Sequence, residues 1–268
     1  MSGLRVPVRK ILILWAAGWI VAGFGIPSAW AGEKLDTLVL KRLSQDGKTL
    51  DLGGLVIGPN GAKRLAGMEV LSGVTTLLLQ GNKIKYRGLR ALANSPHLAR
   101  LKHLDLWGNL AGDLGLKALA ESPHLTRLES LKLWKNEIGD DALEIMGRSK
   151  NFLRLKTLML NNNLITPAGA AALAEAKAFP NLETLNLFRN EVRDEGAIAL
   201  AKSKNFSNLQ ALYVGQNNIS DKGAVALIQS ESFPKLKVLD LVQNHLSEST
   251  FILAFKYNKK GKIQIVTR

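Results

Sequence analysis

The chain has 268 residues, with 36 Lys and Arg against 22 Asp and Glu for a formal net charge of +14, 46% apolar residues and no cysteine. The lack of cysteine excludes disulfides, thiol nucleophiles and Cys-ligated metal, so stability must come from packing. The basic balance favours anionic partners such as phosphates, acidic glycans, nucleic acid or lipid headgroups, without choosing among them.

Residues 1–31 read as a secretory signal. Arg5, Arg9 and Lys10 supply a positive start, ILILWAAGWIVAGF an apolar middle, and Pro27 with Ala29-Trp30-Ala31 a small-residue exit, which predicts cleavage after Ala31. An uncleaved membrane anchor is the alternative, because no charge occurs from Ile11 to Gly32. The short apolar middle and the helix-breaking Pro before the A-x-A site favour cleavage, and the chain is expected to be periplasmic or secreted. Residues 32–268 keep 33 basic and 22 acidic groups, a net +11, and export makes nucleic acid a poor partner. Residues 32–46 are predicted to form an N-terminal cap, in which Leu35, Leu38, Val39, Leu40 and Leu43 cover the segment that begins at Gly47.

From residue 47 the phrase L-x-x-L-x-L-x-x-N recurs, in units that begin at Gly47, Val74, Leu101, Leu128, Leu155, Leu182, Leu209 and Leu236, each 27 residues from the last. The ninth position is Asn82, Asn109, Asn136, Asn163, Asn190, Asn217 and Asn244, with Leu55 in the first unit. The first half of a unit, such as LKHLDL, alternates apolar and polar residues as a strand does. The second half, such as DLGLKALAESPHL, places Leu114, Ala118 and Leu119 at helical spacing. Helix starts are signalled by Asp113, Asp140, Asp194, Asp221 and Pro167 at the thirteenth position. An amide at the ninth position both donates and accepts, so stacked units are predicted to build an internal asparagine ladder over backbone groups that no strand reaches. The fifteenth position is Gly61, Gly88, Gly115, Gly169, Gly196 and Gly223, with Ala142 once, as a close approach between successive helices requires.

This pattern resembles the leucine-rich repeat proteins of the ribonuclease-inhibitor-like type, and SPHLARLKHLDL and SPHLTRLESLKL are similar to phrases of bacterial proteins built from such 27-residue arrays. The resemblance covers residues 47–250 and implies an α/β fold, a right-handed solenoid or horseshoe with a parallel sheet on the concave side and helices on the convex side. It implies no catalytic residues, because the shared positions are structural. At residues 251–268, FILAFKY followed by KKGK and IQIV predicts a C-terminal cap of helix, turn and closing strand, whose edge Lys256, Lys259, Lys260 and Lys262 keep soluble.

Little in the chain suggests chemistry. His97 and His124 occupy equivalent places in the SPHL turn, and neither His103 nor His245 has partners at metal-ligand or triad spacing. No G-x-S-x-G, H-E-x-x-H or P-loop occurs, so no enzyme, cofactor or metal is expected.

Strand alternation sends the third, fifth, seventh and eighth positions of each unit away from the core. The seventh runs Gly53, Gln80, Trp107, Trp134, Asn161, Phe188, Gly215, Val242, and the fifth runs Asp51, Leu78, Asp105, Lys132, Met159, Asn186, Tyr213, Asp240. The phrases LDLWGN and LKLWKN thus set Trp107 and Trp134 side by side on adjacent strands, and after residue 31 they are the only tryptophans. The predicted concave patch comprises Trp107, Trp134, Phe188, Tyr213, Lys132, Lys135, Arg189, His103, Asp105 and Met159, which combines ring area with fixed charged groups. The expected function is a non-catalytic module of an exported protein, a monomer that binds another protein or peptide through this patch. The alternative is an envelope-associated structural protein that binds an acidic cell-surface polymer, such as an acidic glycan, through its basic surface.

Overall fold

The computed structural model describes residues 34–268, so the expected signal segment and its predicted cleavage site lie outside the described residues. Helix α1 (Leu35–Arg42) precedes eight strand-and-helix units. The strands are β1 (Thr49–Asp51), β2 (Thr76–Leu78), β3 (His103–Asp105), β4 (Ser130–Lys132), β5 (Thr157–Met159), β6 (Thr184–Asn186), β7 (Ala211–Tyr213), β8 (Val238–Asp240) and a closing β9 (Gln264–Val266). Between them run α2 (Gly58–Ala66), α3 (Lys85–Ala93), α4 (Gly112–Ala120), α5 (Asp140–Arg148), α6 (Pro167–Glu175), α7 (Arg193–Ala201), α8 (Asp221–Ile228) and α9 (Glu248–Lys259).

These nine strands join one open parallel sheet in chain order. The register follows the repeat, as in Leu77↔Leu104↔Leu131, each step 27 residues. Three-residue strands are too short to persist alone, and stacking is what makes them a sheet. Each contributes one leucine or isoleucine to a buried column, from Leu50 and Leu77 to Leu239 and Ile265, and the helices close over it with residues such as Leu116, Leu143, Leu173 and Leu200. The fold is an α/β leucine-rich solenoid, a horseshoe in which the sheet has one face on the core and one face open.

The recurring asparagines bond from unit to unit. The Asn82 amide Nδ2 donates to the carbonyls of Leu52 at 2.8 Å and Leu79 at 2.9 Å, and Asn109 Oδ1 accepts from the backbone N–H of Asn82 and of Ile84, both at 3.2 Å. These amides sit where the strand ladder ends, so they satisfy donors and acceptors that would otherwise be buried without partners. A second ladder, which the repeat phrase does not reveal, runs along the other end of the units. Ser95 Oγ donates to Ala66 O, Ser149 Oγ to Ala120 O and Ser203 Oγ to Ala174 O, each at 2.6 Å, so these serines tie down a carbonyl at the helix end of the unit before, where Met68 and Ala176 hold the same place in two other units.

The thirteenth-position aspartates act on the following unit. Asp140 accepts from the N–H (2.9 Å) and Oγ1 (2.5 Å) of Thr166, and Asp194 accepts from the N–H (2.8 Å) and Oγ (2.5 Å) of Ser220, the residues that cap the N-termini of α6 and α8. At the fifteenth position, a Cβ built on Gly196 would lie 2.8 Å from Val192 Cγ1 and 2.9 Å from Ala170 Cβ, so glycine is what lets α7 approach α6.

Two assignments of individual apolar residues are corrected. Leu114 is 60% exposed, because the close approach at Gly115 fixes the phase of α4 and turns Gly115, Leu116, Leu119 and Ala120 to the core. Leu40 is 68% exposed, since α1 presents only Leu38 and Val39 fully to the first unit. At the other end of the array, Lys259 lies over the Phe255 ring at 4.7 Å and Lys260 over Tyr257 at 4.9 Å, so these lysines cover aromatic surface on the last helix.

Candidate functional site

The open face of the sheet carries every residue of the predicted patch. Leu104, Leu106, Leu131 and Leu133 point into the core, and the residues between and after them point outward. Trp107 and Trp134 follow equivalent strands and stack with ring centroids 5.0 Å apart and planes inclined by 22°. Each remains 41% exposed. The stack is braced from below: Asp105 Oδ1 accepts from the Trp107 N–H at 3.1 Å, and Asp105 Oδ2 lies 3.6 Å from Lys132 Nζ. Lys132, Lys135, Arg189 and His103 are exposed on the same face, and Asp105, Met159, Phe188 and Tyr213 are half-buried.

The eighth position is left-handed in every unit. Gly54, Gly81 and Gly108 meet this requirement without cost, whereas Lys135 (φ 55°) and Arg189 (φ 58°) meet it with side chains attached. A non-glycine residue there costs roughly 1–2 kcal/mol. The units that hold Lys135 and Arg189 accept this strain and place a cation directly after an aromatic ring of the seventh row.

A second apolar group lies two strands beyond the tryptophans. A Cβ on Gly215 would lie 2.8 Å from both Phe188 Cδ2 and Val242 Cγ2, so these side chains close over the glycine from either side. Val242 and Gly215 were not among the predicted patch residues, although the seventh row of the repeat contains both. Tyr213 stands on the next row, where burial raises its hydroxyl pKa and the nearby Asp240 raises it further.

Asp240 departs from the predicted surface row. It is fully buried, because Tyr213 and Val266 flank it on the neighbouring strands and β9 closes the edge that a ninth unit would otherwise occupy. Its Oδ1 accepts from the Val242 N–H at 2.9 Å, but Oδ2 has no partner among the described residues, and burial pushes its pKa up. No group of His, Asp or Glu able to hold a metal occurs among the described residues. A pocket of about 970 Å³ opens on the helix side, between α5 and α6, and its lining of Ala168, Ala171, Ala172, Glu144, Arg148 and neighbouring residues takes no part in the sheet face.

No curated protein sequence matches the chain. The sequence profile of the leucine-rich repeat matches residues 180–201 and 207–227. Among solved structures the chain is similar to internalin C2 of Listeria monocytogenes, at 26% identity and a TM-score of 0.50, over 75% of this chain and 73% of that one. The chain is a leucine-rich repeat protein. Its fold and this likeness support a protein-interaction module, since a leucine-rich repeat array offers a large preformed surface at little cost in ordering. No helix among the described residues of this leucine-rich repeat protein is long and apolar enough to cross a membrane.

Proposed function

We propose that this protein is an exported, non-catalytic recognition module of the ribonuclease-inhibitor-like type, which binds another protein or a peptide through the concave face of its sheet. The observation that carries the reading is the stacked pair Trp107 and Trp134, held 5.0 Å apart and still 41% exposed. Large rings at the centre of an interface supply most of its apolar contact, and rings already fixed in place lose little entropy on binding. Lys132, Lys135 and Arg189 flank the rings as donors that set orientation. The protein works as a monomer, is exported with loss of residues 1–31, and acts in the periplasm or outside the cell.

The test is recovery of partners from envelope and culture extracts by the protein and by its Trp107→Ala, Trp134→Ala variant. A partner that the first retains and the second loses supports the reading, and equal recovery by both places binding elsewhere. Acrylamide should quench both tryptophans in the free protein, and a partner should protect them and shift their emission to the blue.

A further inference from the structure

Away from the open face, the residues that lead into the strands carry a separate row of charge. Arg100, Arg127 and Arg154 occupy the last position of three consecutive units, and all three are exposed. Among the described residues none of the three makes an ion pair, and no hydrogen bond engages their side chains. The backbone beside them is bonded unit to unit, with the N–H of Lys102, Glu129 and Lys156 each 2.8 Å from the carbonyl of the preceding unit. Equivalent positions therefore advance by one strand spacing, about 5 Å per unit.

The fold itself does not ask for arginine here. In the next two units the same position is Asn181 and Asn208, whose amides donate to Leu153 O at 2.7 Å and Pro180 O at 2.8 Å and so tie each unit to the one before. The arginines forgo that bond. Two residues further on, the row alternates Lys102, Glu129, Lys156, Glu183, and Lys102 Nζ pairs with Glu129 Oε1 at 2.9 Å. Charge in one row is thus balanced across units, while charge in the adjacent row is stacked with one sign and has no counterion among the described residues.

We propose that Arg100, Arg127 and Arg154 form a rail for a linear acidic glycan, one acidic group facing each guanidinium. Guanidinium groups recognise carboxylate, sulfate or phosphate through paired N–H donors, and a repeating anion relieves the repulsion along the row. A single extended polymer that advances about one sugar per strand spacing fits a row one residue wide. Duplex nucleic acid fits it poorly, because its phosphates wind around a helix, rising only about 3.4 Å of axis per residue of each strand, and do not run as a straight single row. Single-stranded nucleic acid is gripped largely by aromatic stacking, and the tryptophans stand at the far end of the strand, roughly 23 Å of extended chain from Arg100 to Trp107. A lipid surface would call for apolar residues to insert, and Leu153 is the one large exposed apolar residue beside these arginines in the sequence.

The experiment measures binding of fluorescently labelled polygalacturonate oligomers to the full chain by anisotropy over a range of salt. Three variants are compared: Arg100→Gln, Arg127→Gln, Arg154→Gln together; Lys83→Gln, Lys85→Gln, Arg87→Gln together, an equal loss of charge after the opposite end of the strands; and Trp107→Ala, Trp134→Ala. The first should weaken binding about ten-fold or more and make its dependence on salt shallower, whereas the second should change it by less than about three-fold. The tryptophan variant should bind the polymer as the parent does, which separates this site from the open face. Equal losses in the two charge variants would reduce the effect to net charge and overturn the rail. Absence of binding at low salt would overturn it too, as would a single-stranded oligonucleotide that binds more tightly than the glycan and depends on the same three arginines.

Discussion

Replacing Asn136 with Ala removes four hydrogen bonds, three of them buried, whose partners fare differently. Asn136 Nδ2 donates to Leu106 O at 2.9 Å and Trp134 O at 3.1 Å, and both carbonyls keep another donor, Asn109 Nδ2 and the Gly108 N–H respectively. Asn136 Oδ1, in contrast, accepts from the N–H of Asn109 at 3.1 Å and of Ala111 at 3.2 Å, and those two donors are left unpaired. Each buried unpaired donor costs about 1–3 kcal/mol. Asn136→Ala should therefore cost about 2–4 kcal/mol after local relaxation, whereas Lys135→Ala, next to it but exposed, should stay within about 0.5 kcal/mol. Urea midpoints of the two variants, with slopes checked for a shared unfolding transition, give the comparison. An Asn136→Ala loss no larger than that of Lys135→Ala would refute the argument that the amide stabilises the array by satisfying buried backbone.

Gly196→Ala should destabilise by about 1–3 kcal/mol through overpacking, because the new methyl would meet Ala170 Cβ at 2.9 Å and Pro167 Cα at 3.2 Å; thermal or urea midpoints read the loss. Asp240 has its pKa raised by burial, so the folded chain holds its proton more tightly than the unfolded one. The stability of the protonated form is complete below the unfolded pKa and is lost as pH rises through the folded one. Asp240→Asn, which keeps the acceptor for Val242, should thus be more stable than the parent near neutral pH and lose less stability between acid and neutral pH. Asp221 behaves in the opposite way: its bonds to Ser247 and Thr250 lower its pKa, so its contribution is present above the unfolded value and is lost as pH falls through the folded one. Protection factors of α9 amides, which divide out the intrinsic pH dependence of exchange, should fall on acidification in the parent and vary less with pH in Asp221→Asn.

The 27-residue period was enough to set the strand register, the order of the sheet and the close approach of helices at Gly88 or Gly196, because each of these repeats a demand that every unit makes on its neighbour. A leucine at a strand position must be buried whichever unit holds it, so pattern alone determines its direction. The outward positions obey no such demand. Whether Trp107 and Trp134 stack, whether Phe188 folds over Gly215, and whether the arginine row finds counterions depend on side chains a full repeat away and on the space between them, which only the tertiary structure decides. The ends of the array show the same limit. Asp240 sits in a row that is open in Asp51 and half-open in Asp105, yet it is buried, because the residue beside it belongs to the closing strand and not to another repeat. Periodicity describes what is common to the units, and burial at an edge or contact on an open face is set by where they differ.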